Sequence, residues 1–173
     1  MRKLIIFALI AVLFSGTSCF RSKQGISVIG YRNQMVFLKK NVYYKVGELP
    51  KGWDHIRTSS KAASFYNESI KGTVSTDAFC GSYFEDLPLK TLTNQLFAGT
   101  NRAAPLMEKD FILDGRGAFR SVSTGKVDGV PLKFDSVVIK KNNCTIDLVY
   151  IVPPENYESG VGDFEVFFGG FKF

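Results

Sequence analysis

Residues 134–154 read FDSVVIKKNNCTIDLVYIVPP. Two runs rich in β-branched and aromatic side chains, Phe134 to Lys140 and Thr145 to Val152, flank Asn142-Asn143, a pair suited to a tight turn, and the stretch predicts a β-hairpin. In the second run Ile146, Leu148, Tyr150 and Val152 alternate with Asp147, Val149 and Ile151. Both alternating sets are largely apolar, so the strand is expected to be central and covered at least partly on each side. Pro153-Pro154 then ends the ladder, because proline has no N–H to donate.

Working upstream, Val130 to Lys141, Ala118 to Thr124 and Phe111 to Leu113 read as strands, the last two joined by the turn Asp114-Gly115-Arg116-Gly117. An earlier set, Trp53 to Thr58, Ala63 to Asn67 and Thr73 to Cys80, has strand length and Ser-, Lys- and Gly-containing connectors, as in an antiparallel meander. Met35 to Leu38 and Val42 to Val46 are shorter runs of strand type. Between the two sets the period changes: Leu89, Leu92 and Leu96 recur at helical spacing, with Asp86 as N-cap, Pro88 in the first turn and Gly99 as C-cap. Beyond the prolines, Tyr157, Val161, Phe164 and Phe168, joined by Phe167 and Phe171, predict a second helix that lays an aromatic stripe on the sheet. Gly160 and Gly162 each cost that helix about 1 kcal/mol relative to alanine, so docking must hold it. The expectation is an α+β fold: an antiparallel β-sheet of about six strands with two packed α-helices, in the order β-β-β-α-β-β-β-α, forming a single domain over 42–173.

The 173 residues are 45% hydrophobic and 22% charged, a composition that excludes a disordered tail, a collagen-like repeat and a long coiled coil. At the start, Arg2 and Lys3 precede an apolar run from Leu4 to Phe14 and the small, polar Ser15-Gly16-Thr17-Ser18, the order of a secretory signal over residues 1–18. That run is too short for a membrane span, which needs about 20 residues. Gly16-Thr17-Ser18-Cys19 resembles the lipobox of bacterial lipoproteins, in which the cysteine is acylated, although Gly16 stands where Leu, Val or Ile is usual. Ordinary cleavage after Ser18 is the alternative. Residues 19–41 are expected to be a lipidated N-terminus and tether, the mixed stretch 20–33 showing no clear period.

Cysteine parity fits acylation. Three cysteines in an exported chain leave one unpaired; if Cys19 carries lipid, Cys80 and Cys144 form an even pair in an oxidising compartment. Both stand beside turn-like residues and are expected to be disulfide-bonded, with two buried free thiols as the alternative. No metal site is expected: there is no CxxC, and His55 is the sole histidine. Formal net charge is +6; without Arg2 and Lys3, 20 basic side chains stand against 16 acidic, a net of +4. The basic residues are scattered in pairs such as Lys39-Lys40 and Lys140-Lys141, so nucleic-acid binding is not expected.

A search for chemistry finds little. Asp54 and His55 would point to opposite faces of a strand and could not form a base and its orienter. Cys80-Gly81-Ser82 lacks the second glycine and the following helix of a nucleophile elbow, and Gly115 and Gly117 read as turn glycines. Glu85-Asp86 is read as complementing a helix N-terminus in preference to holding calcium. The many rings, among them Trp53, Phe65, Phe134, Tyr150, Phe164 and Phe167, are read mainly as core, with a groove for an apolar ligand as the alternative.

The run Val46-Gly47-Glu48-Leu49-Pro50-Lys51-Gly52-Trp53, the Leu89/Leu92/Leu96 helix, the turn Leu113 to Ala118, the lysine-tipped hairpin and the C-terminal Phe-rich helix together resemble the PsbP-like fold over roughly residues 42–173. That superfamily includes photosystem II extrinsic proteins, a Ran-binding nuclear import factor and many bacterial envelope lipoproteins, and it has no shared catalytic motif. That resemblance implies an accessory or binding module of an envelope and transfers no functional residue; together with the lipobox resemblance at Cys19, the expectation is a non-enzymatic protein without cofactor whose partners are the membrane, through acylated Cys19, and another envelope protein. A carrier or sensor of a hydrophobic ligand is the alternative function. By resemblance to the sorting habit of enteric lipoproteins, Phe20 after the anchor, in place of an acidic residue, implies the outer membrane facing the periplasm in preference to the inner membrane.

Overall fold

Tight two-residue turns organise the chain. The computed structural model describes residues 28–58, 62–81, 87–98 and 100–173. Within them lie the strands β1 (Val28–Arg32), β2 (Met35–Leu38), β3 (Tyr43–Lys45), β4 (Asp54–Ile56), β5 (Ala63–Asn67) and β6 (Gly72–Cys80), then the helix α1 (Leu89–Leu96). The strands β7 (Met107–Leu113), β8 (Arg116–Val127), β9 (Val130–Lys141) and β10 (Cys144–Val152) and the helix α2 (Tyr157–Gly169) follow. Asn33-Gln34, Asp114-Gly115, Asp128-Gly129 and Asn142-Asn143 all have positive φ at both positions. That geometry matches the right-handed twist of the flanking strands, and Asp, Asn and Gly tolerate it best. It closes the hairpins β1–β2, β7–β8, β8–β9 and β9–β10.

Seven strands form one sheet in the order β4-β5-β6-β10-β9-β8-β7, each pair antiparallel. Two meanders therefore meet at a seam between β6 and β10, where Ile146 faces Ala78, Leu148 faces Thr76 and Tyr150 faces Val74. β1, β2 and β3 form a separate three-stranded sheet. The fold is α+β as expected: among the described residues the main sheet has seven strands where about six were expected, and the small sheet adds three more.

The tether expected over 19–41 requires correction. Residues 28–41 are part of the fold, with Val28, Val36 and Leu38 buried in the same core as the large sheet. The sequence hides β1 because its pairing with β2 slips between Val28 and Gly30, which breaks the period-two pattern. Cys19, the signal segment and the first part of the tether lie outside the described residues. So do Asp86 and Gly99, the expected caps of α1, whose N-cap position is Pro88.

Each face of the large sheet carries its own layer. On one, α2 and the small sheet cover Val74, Ile146, Leu148 and Tyr150, and Tyr44, Phe164, Phe167 and Phe171 fill the space between them. The other face receives α1, which packs on β8 and β9 with a small cluster of Phe97, Phe134 and Val149. Gly47 lets two backbones touch: its N–H donates to the Phe167 carbonyl at 2.8 Å, and a Cβ there would collide with the Val166 oxygen. The strand expected from Trp53 to Thr58 shortens to Asp54–Ile56, since the Trp53 ring turns inward and its Nε1 donates to Asp163 on α2 at 2.8 Å. After α2 the chain returns to β3, where Lys45 and Lys172 exchange backbone hydrogen bonds at 2.7 and 3.0 Å. No described helix is long and apolar enough to cross a membrane.

Candidate functional site

The β6–β10 seam carries the covalent feature and the unusual electrostatics. Cys80 and Cys144 are register partners at its end and are joined by a disulfide with an S–S distance of 1.98 Å. Pairing continues three residues along each strand and sets Asp77 directly opposite Asp147. Their side chains share the face on which α1 sits.

The α2 side of the sheet holds a closed network. Asp135 on β9 is fully buried and takes hydrogen bonds from Arg120 Nη2 at 2.6 Å, Arg120 Nε at 2.9 Å and the Tyr157 hydroxyl at 2.8 Å. The same guanidinium donates to Glu165 on α2 at 2.7 Å and lies 5.2 Å from the Phe168 ring centre. Burial pushes the Tyr157 phenol upward and the Asp135 charge adds to it. Burial opposes the charge of Arg120, but its bonds to Asp135 outweigh that and hold it protonated. Every partner here is satisfied, so the network fastens α2 to β8 and β9. A second tie holds the C-terminal segment: Asp114, in the β7–β8 turn, accepts from Lys141 and from the Phe173 N–H at 3.0 Å, which holds its carboxyl down near 2.

The α1 side differs. A groove of about 200 Å³ is lined by Phe79, Leu92, Gln95, Thr145 and Asp147. Burial, with the Asp77 carboxylate as a second cause, pushes Asp147 up to about 7. Burial also raises Asp77, although the Ala78 N–H donates to it at 2.8 Å. Like charges directly opposite one another on neighbouring strands destabilise a sheet, and this pair stands in its centre. In the sequence Asp147 stands as one acidic side chain in an otherwise largely apolar strand. The signal that finds the pair is the cysteine bridge, since joining Cys80 to Cys144 on antiparallel neighbours fixes Asp77 against Asp147.

The other sequence candidates are not brought together. Asp54 and His55 alternate on β4, and the exposed imidazole lies 5.3 Å from the rings of both Tyr31 and Phe65, beside a cleft of about 450 Å³. Among the described residues no group of His, Cys, Asp and Glu could hold a metal. Glu85-Asp86 lies outside them. The rings considered for an apolar groove stack on one another instead: Tyr150 packs on Tyr157 at 5.8 Å and on Phe164 at 5.9 Å, and Phe164 on Phe168 at 5.2 Å.

No family model and no curated protein matches the chain. Solved structures do. A protein of Bacteroides thetaiotaomicron superposes with a TM-score of 0.55 at 14% identity, over 86% of this chain and 48% of its own, so this chain spans about half of that protein. Cyanobacterial PsbP (CyanoP) of Synechocystis superposes with a TM-score of 0.52 at 11% identity, covering 91% of this chain and 98% of its own. LpqN, involved in cell envelope biogenesis of Mycobacterium tuberculosis, gives 0.50 at 12% identity, over 75% and 83%. The likeness is one of architecture, and the fold is PsbP-like.

Proposed function

We propose that this chain is a non-catalytic, lipid-anchored accessory module of the bacterial cell envelope that acts by docking on another envelope protein. Acylated Cys19 would hold it at the outer membrane, facing the periplasm. The observation that carries this reading is the Cys80–Cys144 bridge. It fits an oxidising compartment and leaves Cys19 as the odd cysteine, behind a segment with the order of a secretory signal. The envelope role printed for LpqN, which shares the architecture, points the same way. Stacking of the core rings on one another favours docking over carriage of an apolar cargo.

Intact mass spectrometry without reductant tests the anchor and the bridge together. The expected product begins at Cys19 with added acyl mass and lacks the two hydrogens of a dithiol. Cys19→Ser should move the protein from the membrane pellet to the soluble periplasmic fraction, because several acyl chains bind a bilayer firmly and none does not. A Cys19→Ser variant that stays in the pellet after a salt wash overturns the anchor. Cross-linking in whole envelopes tests the docking, and a chain that captures no protein there overturns it.

A further inference from the structure

Building on the docking function proposed above, we propose that the groove lined by Asp147, which has Asp77 opposite it across the β6–β10 ladder, is the socket for a cationic side chain, lysine or arginine, presented by the protein partner. Other carboxylates in the described core have their counterpart within the chain: Asp135 has Arg120 and Tyr157, Asp114 has Lys141, and Asp163 has Trp53. Asp147 faces the groove, and among the described residues the charge directly opposite it is another carboxylate. A shortage of basic residues is no explanation in a chain with 22 of them. Lys140 stands one register step away, opposite Thr145, yet its ammonium donates to the Leu87 carbonyl at 2.5 Å.

The groove has the shape and chemistry of such a socket. Phe79 and Leu92 offer apolar walls for a methylene stem, while Gln95 and Thr145 add oxygen acceptors near the carboxylates. A cation arriving from outside would relieve the repulsion between the two acids, whereas a neutral group would leave it in place. The titratable and charged groups around the pair are Asp77 on β6 and Lys140 on β9, with Tyr44 beneath the sheet; from α1 comes the neutral Gln95. Below about 7 Asp147 carries a proton that an incoming cation must displace, so binding should tighten as pH rises through about 7.

The test titrates the mature, disulfide-bonded chain with n-butylammonium, the lysine side chain without its backbone, and separately with 1-butanol. Amide resonances of Phe79, Leu92, Thr145 and Asp147 report binding. Saturable shifts confined to the groove are expected with butylammonium. Affinity should be weaker by about tenfold or more for butanol and for Asp147→Asn, and tighter at about pH 8 than at about pH 6. Equal binding of butanol, an unchanged Kd in Asp147→Asn, shifts centred elsewhere, or no saturable shift overturns the socket. Asp147→Asn keeps the shape of the side chain and removes a repulsion, so it should fold, and its melting temperature confirms that. In envelopes, an Asp147→Asn chain that cross-links to the same protein as the parent also overturns the socket while leaving the docking function standing. Failure of both chains to cross-link defeats the docking function, and the butylammonium titration then decides the socket by itself.

Discussion

Gly160 of α2 lies so close to Tyr150 of β10 that a Cβ on the glycine would collide with the phenolic oxygen, and it would stand 2.6 Å from Cδ1 of Ile70. The glycine that weakens the helix as a helix is therefore what lets it reach the sheet. Gly162, two residues on, faces open space.

Gly160→Ala should destabilise the protein by about 2 kcal/mol, since an added methyl in a close-packed seam forces helix and sheet apart. Gly162→Ala should stabilise it by roughly 0.5–1 kcal/mol through helix propensity. Urea unfolding of the two variants beside the parent checks both, and effects of the same sign would contradict the packing described.

The buried carboxylate of Asp135 gives a second expectation. Asp135→Ala leaves Arg120 with the exposed Glu165 alone and should cost about 3–5 kcal/mol, because a charge is left in the core without its main partner. An Arg120→Met, Asp135→Leu double variant should lose less than Asp135→Ala. Thermal unfolding of the three proteins measures the difference.

The pH profile of stability follows from Asp147. Its folded-state pKa is raised, to about 7, above an unfolded value of about 4, so between those values the folded chain binds a proton that the unfolded chain has released. Stability should fall as pH rises through that window and level off above it. Asp147→Asn should flatten the slope and be more stable than the parent at about pH 8, by on the order of 2 kcal/mol. Denaturant midpoints at a series of pH values decide the matter, and parallel profiles for parent and variant would refute the assignment.

Removing the bridge is the fourth expectation. Cys80→Ser, Cys144→Ser should lose about 4 kcal/mol, the chain-entropy value for a loop spanning the 64-residue separation. Reduction of the parent should give a loss of similar size, read as a shift of the urea midpoint.

Much of this architecture is legible in residues 134–154, because Asn142-Asn143 specifies its turn through local backbone preference and the flanking runs are rich in β-branched and aromatic side chains. The spacing of Leu89, Leu92 and Leu96 likewise places α1. β1 escapes reading because the slip near Gly30 disturbs its alternation, and a sequence pattern has no other sign of a short strand. The Arg120–Asp135 pair escapes for another reason. The two sit diagonally on β8 and β9, as the partners Val122↔Asp135 and Arg120↔Val137 show, and that offset depends on a register that composition does not set. Asp77 and Asp147 lie between these cases: strand assignments alone leave them unrelated, and the bridge makes them neighbours.

The order of the strands has a kinetic consequence. Every neighbouring pair in the large sheet except β6–β10 is also consecutive along the chain, so its ladder can zip up by short-range search. The seam instead must bring together segments separated by a whole helix and three strands, and non-local pairing of this kind slows folding. Two half-sheets that form early and wait for one another leave, for a time, an unsatisfied strand edge on each. During that interval the chain is most exposed to misassembly with its own copies, and an escort that shields those edges would raise its yield.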